Sequence, residues 1–461
     1  MPMRRLVPLA LLAAALVAPA WAQQAPPVEA PPIEAPAPAT AETPATPAPK
    51  NAGENPDSRV PLDEIRRYVA VYNAVKQAYV EPIDDAKLMH SAIRGLLFDL
   101  DPHSVYFDKR DAESFDEQSR GAYAGIGVEL LRQPDGTLRV IAPIDETPAA
   151  RAGIKAGDLI IAIDGKPFRA DEGDSSVPLR GPPGSTLSLT IVREGRDKPF
   201  DVSITRENIR IASVRSRMLE PGYGYVRIAA FQADTAADFE RQLEALKTQA
   251  GGTLRGLVMD LRSNPGGLLT SAVQIADDLL ESGKIVSTRG RIAISDAQFG
   301  ATPGDRLGGA PVVVLVDAGS ASASEVLAGA LRDNGRARVV GSRTFGKGSV
   351  QTLLPLDNGD SVKLTTARYY TPSGRSIQAL GIVPDVVLKP DGPSTDGAPI
   401  TEAALPRHLR VEAGAMEGDN AGEVLSGQAP IASALLELKK MAGVAAAPAP
   451  AMPKKIKPKA Q

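Results

Sequence analysis

The chain of 461 residues contains no cysteine. That excludes disulfides, thiolate metal sites, a cysteine nucleophile and a lipid-modified N-terminal cysteine. Histidine is nearly as scarce. His90, His103 and His408 are the only three, so a three-histidine metal site would need all of them. No H-E-x-x-H, S-x-x-K or G-x-S-x-G motif occurs, which argues against metalloprotease, penicillin-binding and nucleophile-elbow chemistry. Basic charge is not in excess: 52 Lys and Arg against 55 Asp and Glu leave a formal net charge of −3. A general nucleic-acid binder needs a basic surplus. No apolar run after the N-terminus approaches the roughly 20 residues that span a bilayer. What is present is an ordinary core-forming composition, 43% hydrophobic and 23% charged. The 42 glycines and 40 prolines exceed the usual share, so part of the chain is expected to be linker.

Arg4 and Arg5, the apolar run 6–18 and Ala20-Trp21-Ala22 read as a signal peptide over residues 1–22, cleaved before Gln23. Export to the periplasm or another extracytoplasmic space, as a soluble protein, is the expectation. Residues 23–57 are a Pro/Ala-rich disordered linker, too poor in large apolar side chains to offset the entropy of ordering. An N-terminal helical region covers 58–120. Ile65, Val69, Tyr72, Val75 and Tyr79 fall at helical spacing, and a second helix runs over 84–100 to Asp101-Pro102.

Residues 121–207 form a β-rich unit of short strands and turns. Strands are expected at 125–130, 138–141, 158–163, 186–193 and 200–204, with a turn at 134–136 and a short helix over 148–152 stopped by Gly153. Residues 208–390 alternate strand and helix, an α/β layer with ligands expected near strand ends and helix starts. Residues 391–461 hold an amphipathic helix over 431–441 and a basic Ala/Pro-rich tail. The fold class is α+β multidomain.

Four segments have chemistry in reach. In Gly319-Ser320-Ala321-Ser322-Ala323-Ser324-Glu325-Val326, a serine between an apolar strand and a helix start meets free N–H groups and a favourable dipole. The same Ser322-x-x-Glu325 spacing is also a capping box. Lys347 lies between Gly346 and Gly348; in an apolar site a lysine loses its proton more readily and can serve as a base, while in a flexible loop it is only a surface charge. The turn 260–267 ends in Gly266-Gly267, whose N–H groups can face an oxyanion or simply make a strand–helix turn. In Gly125-Ile126-Gly127-Val128, exposed N–H groups can hold a peptide carboxylate while the next strand pairs with the peptide.

In order along the chain, LDPHSVYF (100–107), AGIGVEL (124–130), AGIKAGDLIIAIDG (152–165), LRGPPGS (179–185), DLRSNPGG (260–267), GSASASEV (319–326), TFGKGSVQ (344–351) and YYTPSGRSIQALGIVPD (369–385) resemble the carboxyl-terminal processing proteases. These are serine peptidases with a Ser/Lys dyad and an inserted PDZ domain. The resemblance spans about residues 60–390 and implies a PDZ-like domain at 121–207 and a ClpP/crotonase-like α/β core at 208–390. It implies Ser322 as nucleophile, since the family's serine lies three before the Glu, Lys347 as general base and Gln351 holding Lys347. It also implies an oxyanion site from the N–H groups of Gly266 or Gly267 and Ala323. Arg180 matches a PDZ arginine that links peptide binding to protease alignment, and His103 has a turn-forming, structural place. The sequence departs from the family at Ile126, where relatives often have Leu or Phe.

The expected function is an exported endopeptidase that captures a protein or peptide C-terminus and cleaves near it, with neither metal nor cofactor. The rival is a non-catalytic PDZ adaptor, which has no need of Ser322, Lys347 and Gln351 together. The helices near 62–100 and 431–441 are candidates for homo-oligomer contacts, and an activating partner protein is a further expectation.

Overall fold

A computed structural model describes residues 60–133, 137–167, 179–292, 295–390, 400–412 and 422–443. The signal peptide, the linker, the 134–136 turn and the basic tail lie outside the described residues. Two compact units divide the chain between Pro82 and Ile83.

In the first unit, helix Leu62–Ala78 follows the apolar spacing and carries Asp63 and Glu64 in its first turn and Lys76 in its last, as the helix dipole favours. None of its residues is buried within the unit.

The second unit begins with helix Asp85–Phe98, capped by the Asp84 carboxylate, which accepts from the N–H groups of Ala86 and Lys87. The following turn is closed by Asp101, whose Oδ1 accepts from His103 N at 2.8 Å and Ser104 N at 2.9 Å. Strand Val105–Phe107 then pairs antiparallel with Ser361–Tyr370, far along the chain. Helix Lys109–Arg120 lies within the helical region expected over 58–120, although with only Ala112 and Phe115 as apolar residues it has no apolar spacing of its own. It stands between an Asp108 cap and Gly121, whose φ of 69° ends it.

The β-rich part holds a six-stranded antiparallel sheet, five strands in the order Val128–Arg132, Leu138–Pro143, Leu159–Ile163, Thr186–Val192, Phe200–Thr205 with the short Lys166–Pro167 paired beside Leu159–Ile163, around a core that includes Leu138, Ile160, Leu189 and Ile191. The continuous strand expected at 125–130 is broken. Ala122–Gly125 pairs instead with Glu207–Arg210, forming a two-stranded ribbon from the chain entering and leaving this part. Gly127 turns the chain with φ 76°, and a Cβ there would lie 2.4 Å from Thr147.

The α/β part is a six-stranded sheet ordered Val214–Glu220, Tyr223–Ile228, Gly256–Asp260, Val312–Val316, Ala337–Gly341, Val386–Val387; the first pair is antiparallel and the rest parallel. Val312–Val316 is buried throughout, as a parallel strand covered on both faces should be. Helices Thr235–Gln249, Leu269–Leu279 and Ala323–Asp333 share a core with Val312, Val314 and Val316. Helix Ala429–Met441 covers the other face, where Ile431, Ala434 and Leu438 pack with Val313 and Leu315. Each such large aliphatic side chain contributes about 1.5–3 kcal/mol by burial. The apolar stripe expected at 431–441 is thus taken up inside the fold. Among the described residues, no helix is long and apolar enough to cross a membrane.

Candidate active site

Parallel strands end together, so the loops that leave Gly256–Asp260 and Val312–Val316 meet at one end of the sheet. Asn264, fully buried, stitches them. Its carbonyl accepts from Ala321 N at 3.0 Å and Ser324 Oγ at 2.9 Å, its Nδ2 donates to the Ile228 carbonyl at 3.0 Å, and its Oδ1 accepts from Gly266 N at 2.9 Å. Ser320 Oγ donates to the Leu261 carbonyl at 2.8 Å and accepts from Asp317 N at 3.0 Å. Two of the three serines in the turn therefore have their hydroxyls committed to loop structure and are 0% exposed, whereas Ser322 is 8% exposed.

Ser322 stands just before helix Ala323–Asp333 with φ 54° and ψ −115°, a conformation that costs a non-glycine residue about 1–3 kcal/mol. The capping-box spacing is realised through Glu325, whose Oε2 accepts from Ser322 N at 2.7 Å. The same Oε2 accepts from Lys347 N at 2.9 Å, while Oε1 accepts from Gly346 N at 2.7 Å and Thr344 Oγ1 at 2.5 Å. One buried carboxylate oxygen thus grips the backbone of both Ser322 and Lys347, 25 positions apart. Burial pushes the Glu325 carboxyl up to about 7 against the pull of these bonds.

Lys347 is half-buried in the loop before strand Ser349–Pro355. Burial pulls its amine below the ordinary lysine range, and the nearby Lys363 ammonium adds to the effect. Lys363 lies 5.3 and 5.4 Å from the ring centres of Phe107 and Phe115. Gly346 and Gly348 let the loop pass close to neighbouring backbone: a Cβ on Gly348 would lie 2.2 Å from Gln378 N.

Gln351, four positions after Lys347, lies in strand Ser349–Pro355, which does not include Lys347. The strand begins only at Ser349 and shifts register between Val350 and Gln351. Gln351 Nε2 donates to Ser349 Oγ at 2.9 Å and Thr365 Oγ1 at 3.2 Å. The Gly-Gly turn also divides. Gly266 N is already engaged by Asn264, and a Cβ on Gly266 would lie 2.8 Å from Ser322 Cβ and 3.0 Å from Ala323 N. The N–H groups of Gly267 and Ala323 have no acceptor among the described residues.

His103 does more than turn the chain. Its Nε2 lies 2.8 Å from Glu402 Oε2, a buried carboxylate that also accepts from Gln378 Nε2 at 2.8 Å, and Glu402 N donates to the Phe345 carbonyl. The N-terminal turn is in this way joined to the loop that carries Lys347. Asn264 and Glu402 escaped sequence reasoning. The only local signal for Asn264 is its place before Pro265-Gly266-Gly267, and none marks Glu402.

In the β-rich part, Tyr123, Ile126, Gly127, Val128, Leu130 and Arg180 border a groove of about 190 Å³. The N–H groups of Ile126 and Gly127 have no acceptor among the described residues, whereas their carbonyls accept from Ala149 N and Ile144 N. Gly125 belongs to the ribbon. Arg180 Nη1 donates to Glu117 Oε2 at 2.6 Å, and its guanidinium lies 5.5 Å from the Tyr123 ring centre. Arg180 therefore ties the groove to helix Lys109–Arg120.

Comparison with known proteins gives three matching profiles. Peptidase family S41 matches residues 222–388, a PDZ domain 123–204, and the N-terminal domain of the activating protease CtpB 37–111. The chain is 43% identical over 328 residues to the carboxy-terminal-processing protease of Bartonella bacilliformis, covering 71% of this chain and 75% of that one. It is 35% identical over 354 residues to the carboxy-terminal processing protease CtpB of Bacillus subtilis, covering 76% and 72%. A solved photosystem II D1 C-terminal processing protease is 31% identical, with 76% of this chain and 100% of that one covered and a TM-score of 0.41.

Proposed function

The chain belongs to the S41 family of carboxy-terminal processing serine proteases, and from that premise we propose how its residues divide the work. A substrate C-terminus enters the PDZ groove, where the N–H groups of Ile126 and Gly127 take the carboxylate and the chain pairs along Val128–Arg132. Neutral Lys347 accepts the Ser322 hydroxyl proton as Oγ attacks the scissile carbonyl. The N–H groups of Gly267 and Ala323 stabilise the oxyanion, with Gly266 shaping the turn. Lys347 passes the proton to the leaving amine. It then takes one from the water that resolves the acyl-enzyme, and returns it to Ser322. Gln351 acts at one remove, tying Ser349 to Thr365 in the strand that leaves Lys347.

The observation that carries this reading is the shared Glu325 oxygen on Ser322 N and Lys347 N. It holds the two proposed partners to one anchor, with Lys347 in surroundings that favour its neutral form. We further propose the domain limits 1–22, 23–57, 58–120, 121–207, 208–390 and 391–461, export by the signal peptide, and an activating partner or self-association through the N-terminal helices. The test is cleavage of an unfolded protein by the mature enzyme, with Ser322→Ala and Lys347→Ala alongside, on substrates with free and blocked C-termini. Loss in both variants and slower cleavage of the blocked substrate are expected. Normal turnover in either variant overturns the dyad, and equal cleavage of both substrates overturns tail capture.

A further inference from the structure

Beyond these groups, one short stretch of backbone touches all three loops of the site. Residues 422–427 run across the ends of the parallel strands just before helix Ala429–Met441. At the loop that holds Gly266 and Gly267, Arg262 Nη1 donates to the carbonyls of Leu425 at 3.0 Å and Gly427 at 3.3 Å. The rest of the Arg262 guanidinium is fastened to buried Asp260. At the loop that holds Ser322, Leu425 N donates to Asp317 Oδ2 at 3.1 Å, and Ala318 N donates to the Glu423 carbonyl at 3.2 Å. Asp317 Oδ1 in turn accepts from Ser263 N at 2.7 Å and Gly319 N at 2.9 Å, so this carboxylate joins the first loop to the second. At the loop that leads to Lys347, Ser342 Oγ accepts from Glu423 N at 3.1 Å and donates to the Glu423 carbonyl. A Cβ on Gly422 would lie 1.9 Å from the Arg343 carbonyl oxygen.

We propose that residues 422–427 are a positioning strap for catalysis, a single piece of chain that fixes the loops of Gly267, Ser322 and Lys347 relative to one another. The strap contributes backbone N–H and C=O groups, so no side-chain motif marks it. It touches no substrate atom. Its effect lies in the alignment of the oxyanion donors, nucleophile and base, where a misplacement of about 1 Å can cost about a hundredfold in rate. The inference rests on the dyad reading above, and the test separates the two.

The experiment compares Ser342→Ala, Leu425→Pro and their double variant in the full chain. The first removes the hydroxyl that grips Glu423, and the second removes the N–H given to Asp317. Leu425→Ala serves as a control that trims the buried side chain but keeps the N–H. The readouts are kcat and KM on a fluorogenic peptide, the rate of Ser322 labelling by a fluorophosphonate, and the melting temperature. Ser342→Ala should lower kcat and labelling about tenfold or more, with KM and melting temperature nearly unchanged. The double variant should lose less than the product of the two single losses, because both bonds hold one strap. Full kcat in Ser342→Ala overturns the strap. So does a loss that follows the melting temperature, or the same kcat loss in Leu425→Ala as in Leu425→Pro. If Leu425→Pro does not fold, Ser342→Ala decides alone. Labelling or turnover that survives Ser322→Ala overturns the dyad reading itself.

Discussion

Replacing Glu325 by Gln tests the anchor of the site at both the level of stability and the level of rate. Four donors converge on this fully buried carboxylate. Gln can keep its oxygen facing Ser322 N and Lys347 N. Its amide group then faces Thr344 and Gly346. The Thr344 hydroxyl can turn to accept, although it also accepts from Ile382 N at 2.7 Å. Gly346 N is left without an acceptor, at a cost of about 1–3 kcal/mol. Because Gly346 adjoins Lys347, we expect kcat to fall about tenfold to a hundredfold with KM nearly constant. The pH dependence provides the sharper test. Burial raises the Glu325 carboxyl from its usual 4.5 to about 7. Between those values the folded protein holds more protons at this site than the unfolded chain, so wild-type stability falls as pH rises, by about 3 kcal/mol in all. Gln has nothing to ionise. The stability advantage of wild type over Glu325→Gln should therefore shrink by that amount from about pH 4.5 to about pH 7, measured by denaturant unfolding at a series of pH values. A difference that stays constant across the window would refute the buried-carboxylate argument, and an unchanged kcat would refute its role as anchor.

The rate should rise with pH as Lys347 loses its proton, and Lys363→Met should move that rise to higher pH, because removing a neighbouring positive charge raises the Lys347 pKa. A flat kcat profile from about pH 5 to about pH 9 counts against Lys347 as base. Gly267→Ala sets a Cβ 2.1 Å from the Phe231 carbonyl at a φ of 135°. It should lower kcat by about a hundredfold or more, the scale for losing an oxyanion donor, and wild-type turnover removes Gly267 from the site. Leu130→Asp puts a negative charge in the PDZ groove. It should raise KM severalfold for substrates with a free C-terminus and leave blocked substrates unaffected; equal changes for both would argue against carboxylate capture there.

Much of the fold can be read locally, because helices and buried strands announce themselves within a window of about a dozen residues. The apolar run of Val312–Val316, the 3.6-residue spacing of Leu62–Ala78 and the glycine stop after the short helix Pro148–Arg151 are of this kind. Elements without such a pattern are not legible one by one. Helix Lys109–Arg120 is almost wholly polar and depends on its Asp108 cap and Gly121 stop. Strands Val214–Glu220 and Ala297–Gly300 lie at sheet edges with mostly half-buried or exposed residues, and no continuous apolar run marks them.

By itself the sequence determined the class of chemistry. The ordered segments around Ser322, Lys347 and Gly266-Gly267, through their resemblance to the carboxyl-terminal processing proteases, mark a serine peptidase, and the absence of cysteine excludes a thiol nucleophile. The tertiary structure decided how those segments meet. Gly266 and Gly267 are adjacent and alike in sequence, yet Asn264, folded beneath the turn, gives one of them an acceptor, while the other has none among the described residues. Gln351 and Lys347 are close in sequence, yet the bulge after Val350 gives Gln351 different partners. The lowered Lys347 pKa and the raised Glu325 pKa have the same origin. Both follow from the loss of water around a charge, and that is set by side chains brought from distant parts of the chain.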